Sequence, residues 1–163
     1  MLEANYMADP DLAAVVNHSG GSYPVVAGWG VIERLGDKFV ELGIQGPVYI
    51  ITDENVMQLY GRAAQWSLQR SGIAAHCFII PAGESSKNFN LAQAIYEWLV
   101  SLKAERGHAI VAVGGGVVGD LAGFVAATFL RGVPFVQIPT SMAAMVDASI
   151  GGKVAVNLPQ AKN

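Results

Sequence analysis

The sequence predicts an α/β fold: a Rossmann-like, mostly parallel sheet with helices on both faces, preceded by a β-hairpin. Short apolar runs rich in β-branched residues alternate with segments whose apolar residues recur at helical spacing. Residues 109–113 are apolar throughout, which is typical of a strand buried on both faces of a parallel sheet. Glycines and an apolar stretch of helical length follow at once. Strand–helix–strand order of this kind produces a parallel sheet whose ligands bind at the carboxyl ends of the strands.

The amino-terminal part predicts a tail, a hairpin and a helix. Residues 1–10 are expected to form a loose tail. Residues 12–16 and 23–27 predict two antiparallel strands, because the turn sequence NHSGGS separates two apolar runs. Residues 31–42 place four apolar side chains at helical spacing and end before a glycine, which predicts the first helix.

A second strand and helix follow a Gly-Pro break. Residues 48–52 (VYIIT) predict a buried strand, with Asp53 at its end. Residues 55–70 predict a helix that buries one apolar stripe against the sheet. That stripe is expected to contain Val56, Leu59, Ala63 and Trp66.

The remaining elements repeat the pattern. Residues 75–80 predict a third strand and 91–102 the clearest helix, which is followed by the strand at 109–113 and a further strand at 135–138. The expected apolar face of the helix consists of Leu91, Ile95, Trp98, Leu99 and Leu102. Residues after 141 are broken by glycine and are expected to be less regular.

Composition indicates one globular domain and excludes several classes of protein. Of 163 residues, 52% are hydrophobic and 14% charged, which suffices for a core, and a net charge of −3 excludes a basic nucleic-acid surface. The longest apolar helical candidate, residues 121–130, is too short to span a membrane. No signal peptide is expected, and Cys77, the one cysteine, is expected to be a core residue. We therefore expect a cytoplasmic protein.

The glycine-rich turn after the predicted strand at residues 109–113 predicts an anion-binding site. Gly114, Gly116 and Gly119 fit the dinucleotide pattern G-x-G-x-x-G between a predicted strand and a predicted helix. Glycine would let a phosphate approach the backbone, and the turn is a candidate for positive φ. In the ordinary fingerprint the turn opens the first strand–helix unit and an acid follows about 20 residues later. Here neither holds, so the alternative that the glycines only allow close helix packing stays open.

Polar residues follow several strand ends, which predicts one shared cleft. Asp53, Glu84, Lys87, Asp120 and Thr140 each come a few residues after a predicted strand. Asp120 is expected in the first helical turn, facing the sugar or ring end of a ligand, because a carboxylate would repel a diphosphate. The structural alternatives are helix caps for Asp53 and for Thr140 and its neighbour Ser141, and surface charge for Lys87.

Three linked segments in the second half are specific: GGGVVGDLAGFVAATFLRGVPFVQIPTS, MVDASIGGKVAVN and the final KN. With TDEN and PAGESSK upstream, they resemble the N-terminal, NAD-binding part of the 3-dehydroquinate synthase family, within the sugar phosphate cyclases. The resemblance extends over nearly the whole chain.

The resemblance implies a site for NAD and part of a substrate site. The residues implied at NAD are Asp53, Asn55, Glu84, Lys87, Gly115, Gly116, Val117, Asp120, Thr140, Ser141, Lys153 and Lys162. Those implied in catalysis or at the substrate are Asp147, Lys153, Lys162, Asn163 and Arg131, the last by reaching across a homodimer interface. From the residues alone, Lys153 can also be a solvated loop lysine, and Arg131 a cation at a helix end.

The implied activity is that of a carbon–oxygen lyase of the shikimate pathway of aromatic amino acid biosynthesis. NAD would take a hydride from 3-deoxy-D-arabino-heptulosonate 7-phosphate and return it after phosphate elimination, and ring closure would give 3-dehydroquinate. A divalent metal, zinc or cobalt, would polarise the oxygens. The family's metal ligands, a glutamate and two histidines, lie in a helical C-terminal domain. We expect that domain to be missing from residues 1–163, the chain to be truncated, and the fragment to be inactive alone.

No metal ligand is expected within this chain, since His18, His76 and His108 lack ligand spacing. Three other functions stay open. One is another sugar phosphate cyclase, such as one like 2-epi-5-epi-valiolone synthase, acting on sedoheptulose 7-phosphate or a hexose phosphate. The others are a glycerol-dehydrogenase-like oxidoreductase, which would accumulate NADH, and a non-catalytic nucleotide-binding module.

Overall fold

A computed structural model describes residues 9–161 of the chain. Within this range the protein forms a two-stranded antiparallel sheet and a four-stranded parallel sheet. The α/β class, the preceding hairpin and the parallel sheet are therefore confirmed. Most of the predicted tail, and the candidate site residues Lys162 and Asn163, lie outside the described residues.

The hairpin consists of β1 (Leu12–His18) and β2 (Gly21–Val26), paired from Leu12↔Val26 to His18↔Gly21. Both strands extend further into the predicted turn than expected, so that only two residues join them. Two ion pairs, Asp9–Lys38 and Asp11–Arg34, join the base of the hairpin to the helical segment that follows.

Helix α1 (Leu35–Glu41) continues a 3₁₀ turn, Val31–Arg34. Its Phe39 is 1% exposed. The predicted helix over residues 31–42 is thus confirmed, with a tighter first turn.

Four parallel strands form the main sheet. They are β3 (Val48–Asp53), β4 (Ala75–Ile80), β5 (Ala109–Gly114) and β6 (Phe135–Pro139), in the order β4-β3-β5-β6. Every residue of β5 is buried, which confirms that this apolar run is a central strand. Because the chain moves from β3 to one side and then crosses to β5 on the other, the strand order reverses between β3 and β5. Ligands of open α/β sheets bind at the carboxyl side of such a point.

Helices cover both faces of this sheet. Helices α1 and α3 (Arg62–Arg70) pack on one face, where Val48, Ile50 and Val111 point. Helices α4 (Phe89–Ser101) and α5 (Gly116–Thr128) pack on the other, against Tyr49, Ile51 and Ile110. The predicted face of α4 is confirmed: Ile95 and Leu99 are fully buried, and Leu91, Trp98 and Leu102 pack around them.

The stripe predicted for residues 55–70 is wrong at Leu59 and Trp66, whereas Val56 packs against the core as expected. Leu59 is 69% exposed and Trp66 56% exposed, whereas Ala64 and Leu68 are buried. The cause is a π-helical segment, Met57–Gly61, between α2 (Glu54–Val56) and α3, since its wider turns rotate the helix surface relative to regular α spacing.

None of the helices found in residues 9–161 combines the length and apolar character needed to cross a bilayer.

Gly36 is required where α1 crosses α3. A Cβ on Gly36 would lie 2.4 Å from the backbone oxygen of Ser67, an atom that cannot move away without shifting α3. We expect Gly36→Ala to lower the free energy of unfolding by about 2 kcal/mol, since overpacking outweighs the better helix propensity of alanine. Gly107→Ala is the control, because nothing lies within 4 Å of its Cβ. Urea denaturation measures both, and equal stability of the two variants would contradict this packing.

Candidate functional site

Asp53 ends β3 beside the reversal of strand order. Its Oδ1 accepts the N–H groups of Asn55 and Val56, both at 2.9 Å, so the helix-cap interpretation is confirmed. Its Oδ2 accepts no hydrogen bond from residues 9–161, which leaves one carboxylate oxygen for a ligand hydroxyl. The preceding Thr52 is fully buried, and its Oγ1 has no partner in the same range.

Across the reversal, β5 leads directly into α5. Gly115 occupies the N-cap position and provides no side-chain cap. Gly119 N–H bonds Gly115 C=O at 3.0 Å, so the three N–H groups before it, on Gly116, Val117 and Val118, have no helical acceptor. These donors and the positive end of the helix dipole suit an anion.

The glycines of this turn serve two different purposes. None of Gly114, Gly115, Gly116 or Gly119 has positive φ, so the expected need for that conformation is wrong. A Cβ on Gly114 would lie 2.5 Å from Val118, and one on Gly119 2.8 Å from Gln137 Oε1. Packing explains these two.

Gly115 and Gly116 are different, because their Cβ atoms would meet only Ser141 Oγ at 3.3 Å and Ala148 Cβ at 3.6 Å. Packing alone does not require glycine at Gly116. At Gly115 a Cβ would be close only to the side chain of Ser141, which is small and could rotate away. These two positions form an open backbone surface at the end of β5, as a phosphate-binding turn needs.

An ion pair between a buried lysine and a partly buried aspartate joins the segment after β4 to α5. Lys87 Nζ bonds Asp120 Oδ2, and the two side chains are 6% and 18% exposed. The surface-charge alternative for Lys87 is therefore wrong. Asp120 is the fifth residue of α5, so its expected place in the first turn is also wrong. Pairing with an ammonium means that Asp120 does not present an uncompensated negative charge to a ligand.

Glu84 and Asn157 are hydrogen-bonded to each other beside the segment that follows β4. Asn157 Nδ2 donates to Glu84 Oε1 at 2.8 Å, and Asn157 N–H donates to Lys87 C=O at 2.8 Å. A cleft of about 480 Å³ opens beside them, lined in part by Asn88 and Phe89. Sequence reasoning assigned no role to Asn157, although it is the last residue of the segment MVDASIGGKVAVN, since nothing in that segment indicates which side chains its asparagine would meet.

Thr140 and Ser141 follow β6 beside the glycine turn. Thr140 N–H donates to Gly114 C=O at 3.0 Å and so continues the ladder between β5 and β6. Ser141 Oγ accepts Ala144 N–H at 3.4 Å, which supports the capping interpretation for Ser141 alone.

Lys153 and Asp147 form a second ion pair, which is largely exposed at 61% and 70% of their side-chain areas. Asp147 lies in a π-helical turn, Ala144–Ala148, that contacts α5 through Ala148 and Gly116. Gly151 and Gly152, both at positive φ, separate this turn from Lys153.

Arg131 does not lie with the other candidate residues at the carboxyl ends of the strands. It follows α5, which is 13 residues or about 20 Å long, and therefore lies towards the amino ends of the strands.

The histidines lie elsewhere in the fold. His18 ends β1 and His76 is in β4, whereas His108 precedes β5 with its Nδ1 3.3 Å from the Tyr49 hydroxyl. Burial raises the pKa of Tyr49, helped by Glu105, and burial also raises the pKa of the Cys77 thiol, which disfavours a nucleophilic thiolate. Across the described range, no three His, Cys, Asp or Glu side chains form a group that could hold a metal ion.

The family model described as 3-dehydroquinate synthase N-terminal matches residues 77–163. The 3-dehydroquinate synthase of Symbiobacterium thermophilum is 49% identical over 142 residues, 86% of this chain and 40% of that protein. That of Enterococcus faecalis V583 is 45% identical over 142 residues, 87% of this chain and 40% of that protein. The chain thus spans about 40% of the length of these curated relatives.

Among solved structures, the chain is similar in fold to two other sugar phosphate cyclases. A 2-deoxy-scyllo-inosose synthase in complex with carbaglucose-6-phosphate, NAD⁺ and Co²⁺ is 27% identical, with a TM-score of 0.85 over 92% of this chain and 41% of that one. A 2-epi-5-epi-valiolone synthase from Streptomyces hygroscopicus with NAD⁺ and Zn²⁺ is 30% identical, with a TM-score of 0.71 over 79% and 36%. A butanol dehydrogenase from Thermotoga maritima, 21% identical with a TM-score of 0.57 over 68% of this chain and 31% of that one, shares the fold.

The two lysine–aspartate pairs offer a direct comparison of buried and exposed charge. We expect Lys87→Met to lower the free energy of unfolding by about 2 kcal/mol, because it leaves the partly buried Asp120 carboxylate, 18% exposed, without its counter-charge. Lys153→Met breaks an exposed pair and should cost less than about 1 kcal/mol. Guanidinium denaturation measures both.

The double variant Lys87→Met/Asp120→Leu should regain most of the lost stability, because it removes the unpaired charge as well. A loss for Lys87→Met no larger than that for Lys153→Met would contradict the burial of this pair.

Proposed function

The chain belongs to the 3-dehydroquinate synthase N-terminal family, and from that membership we propose that its sheet edge is the NAD site of a 3-dehydroquinate synthase. The observation that carries the proposal is the pairing of two features across the reversal of strand order. One is the uncapped amino end of α5, and the other is the unused carboxylate oxygen of Asp53.

These residues fit NAD. The N–H groups of Gly116 and Val117 would bind the diphosphate, for which Gly115 and Gly116 leave the backbone open. Asp53 Oδ2 would accept the hydroxyls of a ribose, with Asn55 beside it. Thr140 and Ser141 would border the cofactor from the end of β6.

We assign Glu84, Lys87 and Asp120 to the far end of the cofactor. Because Lys87 and Asp120 pair with each other and Asn157 holds Glu84, these groups are fixed before a ligand arrives. Fixed dipoles and charges need little reorganisation on binding, so they would orient the nicotinamide and its ribose.

We assign Lys153 and Asp147 to the substrate, together with Lys162, Asn163 and the Arg131 of a second copy in a homodimer. Lys153 and Lys162 are also assigned to NAD, so that the loop of Lys153 borders both ligands. The substrate class is a sugar phosphate. An ammonium on an exposed loop suits its anionic groups, and Asp147 would hold Lys153 in place until they arrive. The proposed substrate is 3-deoxy-D-arabino-heptulosonate 7-phosphate, and the products are 3-dehydroquinate and phosphate.

When bound, NAD supplies a reversible hydride acceptor, so the cofactor is not consumed. A divalent metal is also proposed, on the basis of the cyclase structures that hold Co²⁺ or Zn²⁺. The described residues do not fit a metal site. We therefore assign the metal ligands to a helical C-terminal domain in the part of the relatives that this chain does not cover. We also propose the shikimate pathway and the cytoplasm as the setting.

Another sugar phosphate cyclase is the second candidate, because the cyclases with other substrates share this fold at 27% and 30% identity. Identities of 43–49% to 3-dehydroquinate synthases favour the first. The sugar phosphate that the full-length protein converts separates the two cyclases. A dehydrogenase would differ from both, because it accumulates NADH whereas a cyclase releases phosphate without net NADH.

Dinucleotide binding tests the proposal. We expect calorimetry to show NAD binding to the chain, and Asp53→Asn to weaken it by about tenfold because a charged acceptor for the ribose is lost. Asparagine is as good an N-cap as aspartate, so stability should hardly change. Asp37→Asn, an exposed aspartate on α1, is the matched control. Absence of NAD binding, or the same affinity in all three proteins, would refute the assignment.

A further inference from the structure

The loop that carries Lys153 lies between two fixed segments. Before it, the turn Ala144–Ala148 packs on α5, and Gln137 Nε2 on β6 donates to Ser149 C=O at 3.3 Å. After it, Val154 packs at Gly123, where a Cβ would lie 2.2 Å from Val154 Cγ1. Only residues 150–153 remain to be positioned.

At the ends of this loop, Ile150 N–H donates to Asp147 C=O at 3.1 Å and the Lys153 ammonium pairs with the Asp147 carboxylate, but the two glycines between them have no restraint from a side chain of their own. Gly151 and Gly152 both have positive φ, at +85° and +69°, and nothing lies within 4 Å of the Cβ that either would carry. Consecutive glycines permit many backbone conformations, so an external contact is needed to select one.

The amino-terminal hairpin provides that contact. The hydroxyl of Tyr23 on β2 accepts Gly151 N–H at 3.0 Å, although the two residues are 128 positions apart. Tyr23 is itself held, because it pairs with Val16 in the hairpin and its ring lies 6.1 Å from that of His18. The hairpin base is fixed separately, by the ion pairs of Asp9 and Asp11.

We propose that Tyr23 is a positioning residue for Lys153. Its hydroxyl fixes Gly151, and through it the direction in which the loop presents the Lys153 ammonium to a ligand at the sheet edge. The inference rests on the proposed role of Lys153. It also gives the hairpin, which contributes no strand to the main sheet, a function in the site.

Tyr23→Phe removes the hydroxyl and keeps the ring, so the hairpin should fold normally. Hydrogen exchange measured by NMR without ligand should show Gly151 N–H exchanging about tenfold faster. The affinity for NAD should fall by about fivefold, because the loop then samples orientations in which Lys153 does not face the ligand. Tyr60→Phe is the matched control, since Tyr60 is 45% exposed and its hydroxyl bonds no residue in the range 9–161.

A double-mutant cycle separates positioning from a general structural effect. If Tyr23 acts through Lys153, Tyr23→Phe should change NAD affinity by less than about twofold in a Lys153→Met background. An equal loss in both backgrounds would overturn the inference, as would an unchanged exchange rate of Gly151 in a wild-type chain that binds NAD. A wild-type chain that binds no NAD contradicts the proposed function itself, and with it any role of Tyr23 towards a ligand.

Discussion

The close approach of α5 to the strands and loops around it is the constraint on which the site depends. Three glycines permit it: Gly114 accommodates Val118, Gly119 accommodates Gln137, and Gly123 accommodates Val154 and Phe135. A side chain at any of these positions would move the helix away from its neighbours. Because α5 lies where it does, its amino end meets the end of β5, and Asp120 comes within reach of Lys87.

The same packing organises the chain after β6. Val154 fits against Gly123, Val156 enters the core beside α5, and Asn157 bonds both Glu84 and Lys87 C=O. An irregular segment is thereby drawn along the sheet edge without forming a strand of the main sheet. The loop of Lys153 also takes a restraint from the hairpin, through the hydrogen bond between Gly151 N–H and the Tyr23 hydroxyl.

Sequence alone predicted the architecture well where hydrophobic spacing decides it. The run at 109–113 has no polar residue and became a fully buried strand, and α4 buries the face that its period indicates. The helix predicted after β3 is present, but its apolar stripe was wrong at Leu59 and Trp66 because a π-helical turn at Met57–Gly61 changes the spacing, and no residue pattern there predicts such a turn. Asp120 was misplaced by one turn, since the start of α5 is set by the backbone at Gly115 and not by a capping side chain.

For the site, chain order explains what could be foreseen. Asp53, Lys87 and Asp120 follow strands, and parallel strands end at one edge, so their grouping was predictable. Contacts between distant segments were not. Tyr23 with Gly151, Asn157 with Glu84, and Gln137 with Ser149 depend on loop paths that hydrophobic patterns do not encode.

The central claim is that the amino end of α5 and the end of β3 together bind a dinucleotide. Amide chemical shifts recorded while NAD is added to the isotope-labelled chain test it most directly. The account predicts the largest changes at Gly115, Gly116, Val117 and Asn55. Changes concentrated at the amino ends of the strands, around Tyr49 and His108, or no changes at all, would contradict it.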